Sequence, residues 1–167
     1  MAFQLNWTIE GQDTINKLNN VAGALPNLIE QSLDTAASDI KMDMKARTPV
    51  ASGDLKNSIN INQKTLRREI GPSLAYGLYQ EAGVSSQRRP PIDKIYKWAM
   101  IKGISSSRGG SSRDPTMAAA KAIANKIATS GYKAQEFVKK TYEWSQGKMN
   151  YWFGQLADKI TIEYQRG

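Results

Sequence analysis

Polar and apolar residues alternate strictly at the start of the chain. Phe3, Leu5, Trp7 and Ile9 are separated by single polar residues. A two-residue period of this kind places one set of side chains on one face of an extended segment. The pattern predicts a half-buried strand over residues 3–9, ended by Gly11.

Apolar residues then recur every three or four positions, which is the spacing of an amphipathic helix. A short helix is expected after Gly11, with its end at Gly23 and Pro26. A long helix is expected over residues 27–48, because the residue before Pro49 avoids helical backbone. Its apolar stripe consists of Ile29, Leu33, Ala36, Ala37, Ile40 and Met44.

Residues 55–82 return to the two-residue period. Ile59 and Ile61 alternate with polar residues, and Arg68 shares a face with apolar neighbours two positions away. This pattern predicts two strands joined by a turn at residues 62–65, with a second turn at Gly71-Pro72. The aromatic-rich stretch 74–81 fits a third strand or a short helix, and an antiparallel meander is favoured.

Helical spacing dominates the rest of the chain. A helix is predicted over Ile92–Lys102 with Gly103 as its cap. Another begins with Asp114 as N-cap and Pro115 as first helical residue, and runs to Gly131. The last apolar stripe, within residues 133–162, consists of Phe137, Thr141, Trp144, Met149, Trp152, Leu156 and Ile160.

Two glycines interrupt that last helical pattern. Gly147 and Gly154 each cost about 1 kcal/mol in a helix interior. Their presence indicates either a kink or a close approach of another helix. Trp144 and Trp152 are expected in the core, whereas Tyr151 and Phe153 fall off the stripe and are candidates for a subunit contact.

Together these elements predict an α+β fold, in which a small antiparallel sheet packs against long amphipathic helices and the C-terminal segment is helical. The length of 167 residues fits a single domain over residues 1–167. Residues 103–113 are rich in glycine and serine and are predicted to form a flexible loop.

The composition excludes several kinds of chemistry. The chain has no cysteine and no histidine, which rules out Cys/His zinc sites, cysteine nucleophiles, histidine bases and disulfides. The carboxylates are scattered, and Asp39 and Asp43 are assigned to the solvent side of their helix. We therefore predict no catalytic, cofactor-binding or metal-binding residues, and a non-enzymatic protein.

The chain also lacks the features of membrane or secreted proteins. There is no run of roughly 18 apolar residues that could span a membrane. The N-terminus lacks the basic and apolar regions of a signal peptide. The simplest expectation is a soluble protein made in a cytoplasm.

Positive charge is concentrated in the middle of the sequence. The net charge is −2 over residues 1–50, +7 over 51–113 and +3 over 114–167. The cations with candidate roles at an interface or against DNA are Arg67 and Arg68 on the hairpin, Arg88 and Arg89 before two prolines, and Arg108 and Arg113 in the Gly/Ser loop. Such residues bind nucleic-acid phosphates or an acidic neighbouring protein, and charge alone does not choose between them.

The order of several short segments resembles a known phage family. After a helix come TPVASGDLKNS (residues 48–58), YGLYQEAG (residues 76–83) and a double proline followed by IYKWA (residues 95–99). This order is similar to the head–tail joining or tail-completion proteins of long-tailed phages. Gly77 stands where that family usually has alanine. The signature positions are Thr48, Pro49, Gly53, Leu55, Ser58, Tyr76, Glu81, Gly83, Pro91 and Trp98.

The resemblance implies a minor tail or neck protein of a siphophage virion, made in the host cytoplasm. Such a subunit is α+β, has no catalysis, and forms a homo-oligomeric ring, expected to be a hexamer, at the head-proximal end of the tail. Its implied partners are the tail terminator, tail tube and head-closure or connector proteins, and DNA passes through its bore. A basic nucleic-acid-binding module is the alternative, whereas a Mg²⁺-dependent nuclease lacks a clustered acidic motif.

The ring leads to an expectation for the arginines. A bore lined with fixed cations would retain DNA, because each neutralised phosphate adds affinity through counterion release. At least one of the pairs Arg67/Arg68 and Arg88/Arg89 is therefore expected to meet acidic side chains of an adjacent subunit or ring.

Overall fold

A computed structural model describes residues 11–50, 52–85, 89–105 and 114–166. The strand predicted at residues 3–9 lies outside the described residues, as do Arg88, Arg108 and Arg113 and most of the predicted flexible loop. The elements in chain order are α1 (Gln12–Arg47), α2 (Asp54–Asn57), β1 (Ile59–Lys64), β2 (Arg67–Pro72), α3 (Gly77–Ala82), α4 (Ile92–Ile101), α5 (Pro115–Ser130) and α6 (Phe137–Arg166). The α+β class is confirmed.

Helix α1 is one continuous helix of 36 residues, so the predicted separation into two helices at Gly23 and Pro26 is wrong. Proline fixes φ at a helix-compatible value, but it removes one backbone hydrogen bond at a cost of about 3 kcal/mol. Packing against α6 and the hairpin stabilises α1 as a whole, so the loss of one hydrogen bond does not end the helix. The predicted stop is confirmed, because Thr48 is extended and its N–H donates to the Met44 carbonyl.

The two predicted strands form an antiparallel hairpin in which Ile61 lies opposite Ile70. The turn falls at residues 65–66, later than predicted, and Leu66 adopts a positive φ of 54°. An acidic side chain on α1 supports this backbone, since the Glu30 carboxylate accepts the Leu66 N–H at 2.8 Å. The predicted turn at Gly71-Pro72 is wrong, because strand β2 continues through Pro72.

The third strand of the predicted meander is also wrong. Residues 77–82 form helix α3, and β1 and β2 make a two-stranded sheet. Gly77 lies close to both the hairpin and α2: a Cβ there would lie 3.0 Å from Pro72 Cγ and 3.1 Å from Leu55 Cδ1. The absence of a side chain at this position therefore lets α3 start against the end of β2.

Helices α4 and α5 match the sequence expectation. Gly103 has a φ of +63° after the end of α4, and the next N–H, of Ile104, bonds back to the Ala99 carbonyl at 2.8 Å. Asp114 caps α5 by accepting the Met117 N–H at 2.9 Å. The Asp114 carboxylate also accepts the Tyr96 hydroxyl, which ties the start of α5 to α4.

Helix α6 runs unbroken past both glycines. A Cβ at Gly147 or Gly154 would meet nothing within 4 Å, so the expected close helix approach is wrong within the subunit. Met149 is exposed and leaves the predicted stripe. The buried face of α6 consists of Phe137, Thr141, Ser145 and Trp152.

The core lies where the end of α1, the base of the hairpin and the start of α6 meet. Its fully packed members are Met44, Leu55, Ile59 and Phe137, with Ile70 and Val138 at its margin. Trp152 is buried farther along α6, as predicted, and half-buried Trp144 contacts its ring edge-on at 6.1 Å between centroids. The hairpin and the C-terminal helix are thus both fixed to α1.

Candidate assembly surfaces

The first group of signature residues builds the connection from α1 into the hairpin. The buried Thr48 hydroxyl donates to the Met44 carbonyl at 2.6 Å and closes α1. Gly53 adopts a left-handed φ of 90° before α2, and Leu55 fills the core. The Ser58 hydroxyl donates to the Leu55 carbonyl at 2.8 Å. These contacts, with Pro49 after the helix stop, set the direction in which β1 leaves α1.

A second group joins α3 to the C-terminal helices. The Glu81 carboxylate accepts the N–H groups of Val138 at 2.8 Å and Lys139 at 3.0 Å, which caps the start of α6. Gly83 follows α3 at a φ of +74°, and a Cβ there would lie 2.5 Å from the Tyr132 carbonyl oxygen. The backbone of Val84 pairs with Tyr132 directly after this contact. Glu81 and Gly83 therefore hold the end of α5 and the start of α6 against α3.

The remaining signature positions lie on α4 and before α3. Pro91 precedes α4, and its carbonyl accepts the Lys94 N–H. Trp98 is half-buried on α4. Tyr76 is partly exposed, and burial of part of its ring raises the pKa of its hydroxyl, with the nearby Asp54 carboxylate adding to the rise. Signature residues thus occupy joints between elements, a structural role.

The helical pattern placed two carboxylates of α1 on the side that meets solvent. In the structure both carboxylates lie against α6, which corrects that assignment. Asp39 accepts the Trp152 indole N–H at 2.9 Å, and Asp43 accepts the Thr141 hydroxyl at 2.9 Å. Burial raises the pKa of Asp43, but hydrogen bonds from Arg47 and Thr141 outweigh it and hold that pKa below its usual value. The role of both residues was missed, because an analysis of apolar periodicity treats every aspartate as facing solvent. One signal was present in the sequence: Thr141, a polar residue within the apolar stripe of α6, is the partner of Asp43.

The hairpin tip carries a network of ion pairs. Arg68 contacts Glu30 at 2.5 Å and Asp34 at 2.6 Å, and only 7% of its side chain is exposed. The N–H of Leu66 and the Arg68 guanidinium lower the pKa of Glu30. Arg68, a candidate for an interface or for DNA contact, is therefore buried against carboxylates of its own chain.

The other tip cations are also paired. Lys64 and Arg67 both contact Glu69, at 3.0 and 2.7 Å. Arg67 is exposed. Three cations thus face three carboxylates at the tip, which leaves no local excess of positive charge. Arg89 is exposed in the loop before α4, and roles for Arg67 and Arg89 at an interface remain predictions.

Helix α6 presents a second apolar face away from its packed side, which we term the α6 aromatic face. The four residues of this face, named below, follow one another at spacings of seven, four and eleven positions, which places them on one side of a helix. Tyr142 is 64% and Phe153 60% exposed. The members are Tyr142, Met149, Phe153 and Tyr164.

Further exposed apolar side chains lie on either side of the core. Tyr151 is exposed on another side of α6, where the Lys148 ammonium lies 5.7 Å from its ring centroid and 5.9 Å from that of Trp144. Leu78 and Tyr79 are exposed on α3, and Leu78 is 73% accessible. Tyr151 and Phe153 lie off the buried face of α6, as the periodicity indicated, and their role in a subunit contact remains a prediction. Large apolar groups exposed in clusters are typical of surfaces that contact other proteins.

The described residues offer little support for other kinds of site. Among them, no three His, Cys, Asp or Glu side chains gather in a way that could hold a metal ion. None of the described helices combines the length and apolar character needed to cross a bilayer. A shallow depression between α1 and α6 is lined by Asp39, Met42, Ala46, Trp144, Lys148 and Tyr151.

Comparison with known proteins gives one family. Residues 12–83 match the family model described as "Bacteriophage HK97-gp10, putative tail-component". The matched segment contains α1, the hairpin and the Glu81–Gly83 joint. No curated protein and no solved structure gives a significant match to the chain. The family match confirms the resemblance to phage tail proteins that the signature segments indicated.

Proposed function

We propose that this chain, whose residues 12–83 match a family of bacteriophage tail components, is a structural subunit that forms a ring at the head-proximal end of the tail. The family match is the observation that carries the proposal. In this reading the ring completes the tail, takes part in joining it to the head, and lets DNA pass through its bore.

The exposed apolar surfaces support assembly. The α6 aromatic face and the exposed side chains of α3 lie on different elements. A ring needs two different complementary surfaces on each subunit, because head-to-tail contacts close only when they repeat by rotation. We expect six copies, matched to the symmetry of the tail, with the tail terminator, tail tube and head-closure or connector proteins as neighbours.

The charge arrangement at the hairpin favours protein assembly over the alternative of a nucleic-acid-binding module. The hairpin cations are paired with Glu30, Asp34 and Glu69 of the same chain. A nucleic-acid-binding site instead needs cations that are free to replace counterions on phosphates. If the purified protein bound DNA with an affinity that fell steeply with salt, the alternative would gain the support it lacks at this surface.

The proposal assigns no catalysis to the subunit. The chain contains no histidine or cysteine, so acid–base or nucleophilic chemistry would rest on other side chains. Incubating the purified protein with DNA and Mg²⁺ tests this part. Cleavage that disappears when one Asp or Glu is substituted would show that the subunit is an enzyme.

The decisive experiment is a cryo-electron microscopy map of a virion that carries this protein. The proposal expects a closed ring of this chain between tail tube and head connector. A map that resolves this junction without the chain would contradict the proposal, as would a tail that assembles normally when the chain is deleted.

A further inference from the structure

Within the described residues, the edge of β1 that faces away from β2 has no partner strand. The Ser73 N–H donates to the Ser58 carbonyl at 3.0 Å, which marks these two residues as a hydrogen-bonded pair. Antiparallel ladders alternate between bonded and non-bonded pairs. The N–H and C=O groups of Ile59, Ile61 and Gln63 therefore point away from β2, and no other described strand pairs with them.

The edge of β2 is less suitable for pairing. By the same alternation its outward-pointing residues are Arg68, Ile70 and Pro72. Proline has no N–H to donate and is a common way to block a sheet edge. The edge of β1 has no proline among its outward residues, so it is the better template for a further strand.

The two sides of the hairpin differ in polarity. Ile59 is completely buried and Ile61 half-buried, whereas Asn60 and Asn62 are exposed. An added strand must therefore be apolar on one side and polar on the other. A two-stranded sheet is also only marginally stable, and a third strand with an apolar face strengthens it.

The same chain contains one segment with this pattern outside the described residues. Residues 3–9 alternate apolar Phe3, Leu5, Trp7 and Ile9 with polar Gln4, Asn6 and Thr8. Its length of seven residues matches the six of β1. The chain therefore supplies a sequence that fits the open edge.

The length of α1 beyond the hairpin limits how far this segment can pair along the edge of its own subunit. Glu30 touches the hairpin tip, and α1 continues beyond it back to Gln12. Those residues extend about 28 Å past the tip at 1.5 Å per helical residue. From Gln12 back to residue 3, nine residue steps of about 3.3 Å cover at most about 30 Å. β1 begins at Ile59 in the core and ends at Lys64 beside the tip. A segment folded straight back therefore brings at most its first residue past the tip, which is too little to pair along β1.

We infer that residues 3–9 of one copy add as a strand to the edge of β1 in a second copy. The donor segment precedes α1 in the chain, whereas the acceptor edge belongs to the hairpin, so the contact is head-to-tail and can repeat around a closed ring. The inference deepens the proposed ring and rests on it for its biological setting.

Cysteine cross-linking tests the inference directly, because the chain contains no native cysteine. One tagged copy of the full chain carries Asn6→Cys, at the centre of the polar side of the segment. A differently tagged copy carries Asn60→Cys or Asn62→Cys on the polar side of β1. Residues opposite each other on paired strands have Cβ atoms about 5 Å apart, within disulfide range.

We expect a disulfide between the copy with Asn6→Cys and the differently tagged copy with Asn60→Cys or Asn62→Cys. The control is a copy with Ser38→Cys, an exposed position on α1, which should form no disulfide with the Asn6→Cys copy. In the double variants Asn6→Cys/Asn60→Cys and Asn6→Cys/Asn62→Cys, the products should be linked oligomers rather than closed monomers. A monomer with an internal disulfide would show that the segment folds back on its own sheet, and would overturn the inference. So would an intact oligomer without cross-links at either hairpin position.

A matched pair of charge variants gives a second test. Leu5→Asp/Trp7→Asp changes the apolar side, and Asn6→Asp/Thr8→Asp adds the same charge to the polar side. The described core contains none of these residues, so both monomers should stay folded by circular dichroism. Sedimentation should show at least a tenfold weaker association for the first variant only. Equal association of both variants would contradict strand exchange, whereas absence of the chain from tails would contradict only the tail function.

Discussion

Arg68 joins the hairpin to α1 through two carboxylates, Glu30 and Asp34. Replacing it with methionine keeps much of the side-chain volume but leaves two carboxylates close together without a cation. We expect Arg68→Met to lower the free energy of unfolding at pH 7, measured by urea denaturation. Arg67→Met is the matched control, because its side chain is mostly exposed, and it should have a much smaller effect.

The same ion pairs predict a pH dependence. Hydrogen bonds from the Leu66 N–H and Arg68 lower the pKa of Glu30 from its ordinary value of 4.5. A hydrogen bond from Arg68 likewise lowers the pKa of Asp34 from its ordinary value of 3.8. Their stabilisation is therefore present above these values and is lost as pH falls through the lowered folded-state pKa values. The difference in unfolding free energy between wild type and Arg68→Met should therefore shrink as pH falls below the ordinary values of 4.5 and 3.8. A constant difference would mean that packing, not charge, explains the variant.

Gly83 and Gly103 both have positive φ but differ in their surroundings. Alanine at Gly103 meets nothing within 4 Å, so it should cost about 1–2 kcal/mol for the left-handed backbone alone. Alanine at Gly83 would place its Cβ 2.5 Å from the Tyr132 carbonyl oxygen and 2.7 Å from the Ala134 nitrogen. We expect Gly83→Ala to cost about 3 kcal/mol or more. Thermal unfolding of the two variants measures this, and equal melting temperatures would refute the close approach.

Single positions also show where sequence patterns stop being informative. The N-cap Asp114 and the cap Gly103 were predictable, because capping depends on neighbouring residues in the sequence. Asp39 and Asp43 were not, because their partners Trp152 and Thr141 lie about 100 residues away. Their hydrogen bonds arise only once α1 and α6 are packed together.

At the level of helices and strands, Glu81 determines where α6 begins. Its carboxylate accepts the Val138 and Lys139 N–H groups, which would otherwise lack helical partners. Glu81→Ala should cost about 0.5–2 kcal/mol, as the loss of a helix cap does, and speed hydrogen exchange at these two amides. Glu143→Ala, an exposed site on α6, is the control. Unchanged exchange at Val138 and Lys139 in Glu81→Ala would remove the capping role.

The elements that the sequence identified well are those defined by local signals. Helices α4 and α5 have clear periods and clear ends, and the two strands have a clear period, although the turns that end them were predicted at the wrong residues. Continuity of α1 through Pro26 was missed, because the packing of α1 against α6 and the hairpin that stabilises the helix is not visible in the local pattern. For residues 74–81 the short helix was the alternative not favoured, because the fit of Gly77 against Pro72 and Leu55 is a tertiary contact that the local pattern does not contain.

The subunit surface leads to a prediction about assembly. Tyr142 and Phe153 on the α6 aromatic face are largely exposed in the single chain. Replacing both with serine should change monomer stability by about 0.5 kcal/mol or less per site, as at other exposed positions. If this face contacts a neighbouring protein, the variant should assemble poorly into oligomers or tails, as measured by sedimentation and by tail yield.

The control for this variant uses exposed polar residues of the same helix. Glu143→Ser/Asn150→Ser lies outside the aromatic face and should assemble like the wild type. Normal assembly of the tyrosine and phenylalanine variant would show that the α6 aromatic face is free in the tail.

The proline within α1 has a mechanical consequence. Residue 26 donates no backbone hydrogen bond, so the Ala22 carbonyl lacks its helical partner and the helix is most easily bent there. Most side chains from Gln12 to Asn20 are exposed, so little packing resists bending. The 14 residues from Pro26 to Gln12 act as a lever arm about 21 Å long. A rotation of about 10° at the proline therefore moves the tip of the arm by about 4 Å. In the proposed ring, such bending would let subunits absorb small changes in spacing without altering their cores.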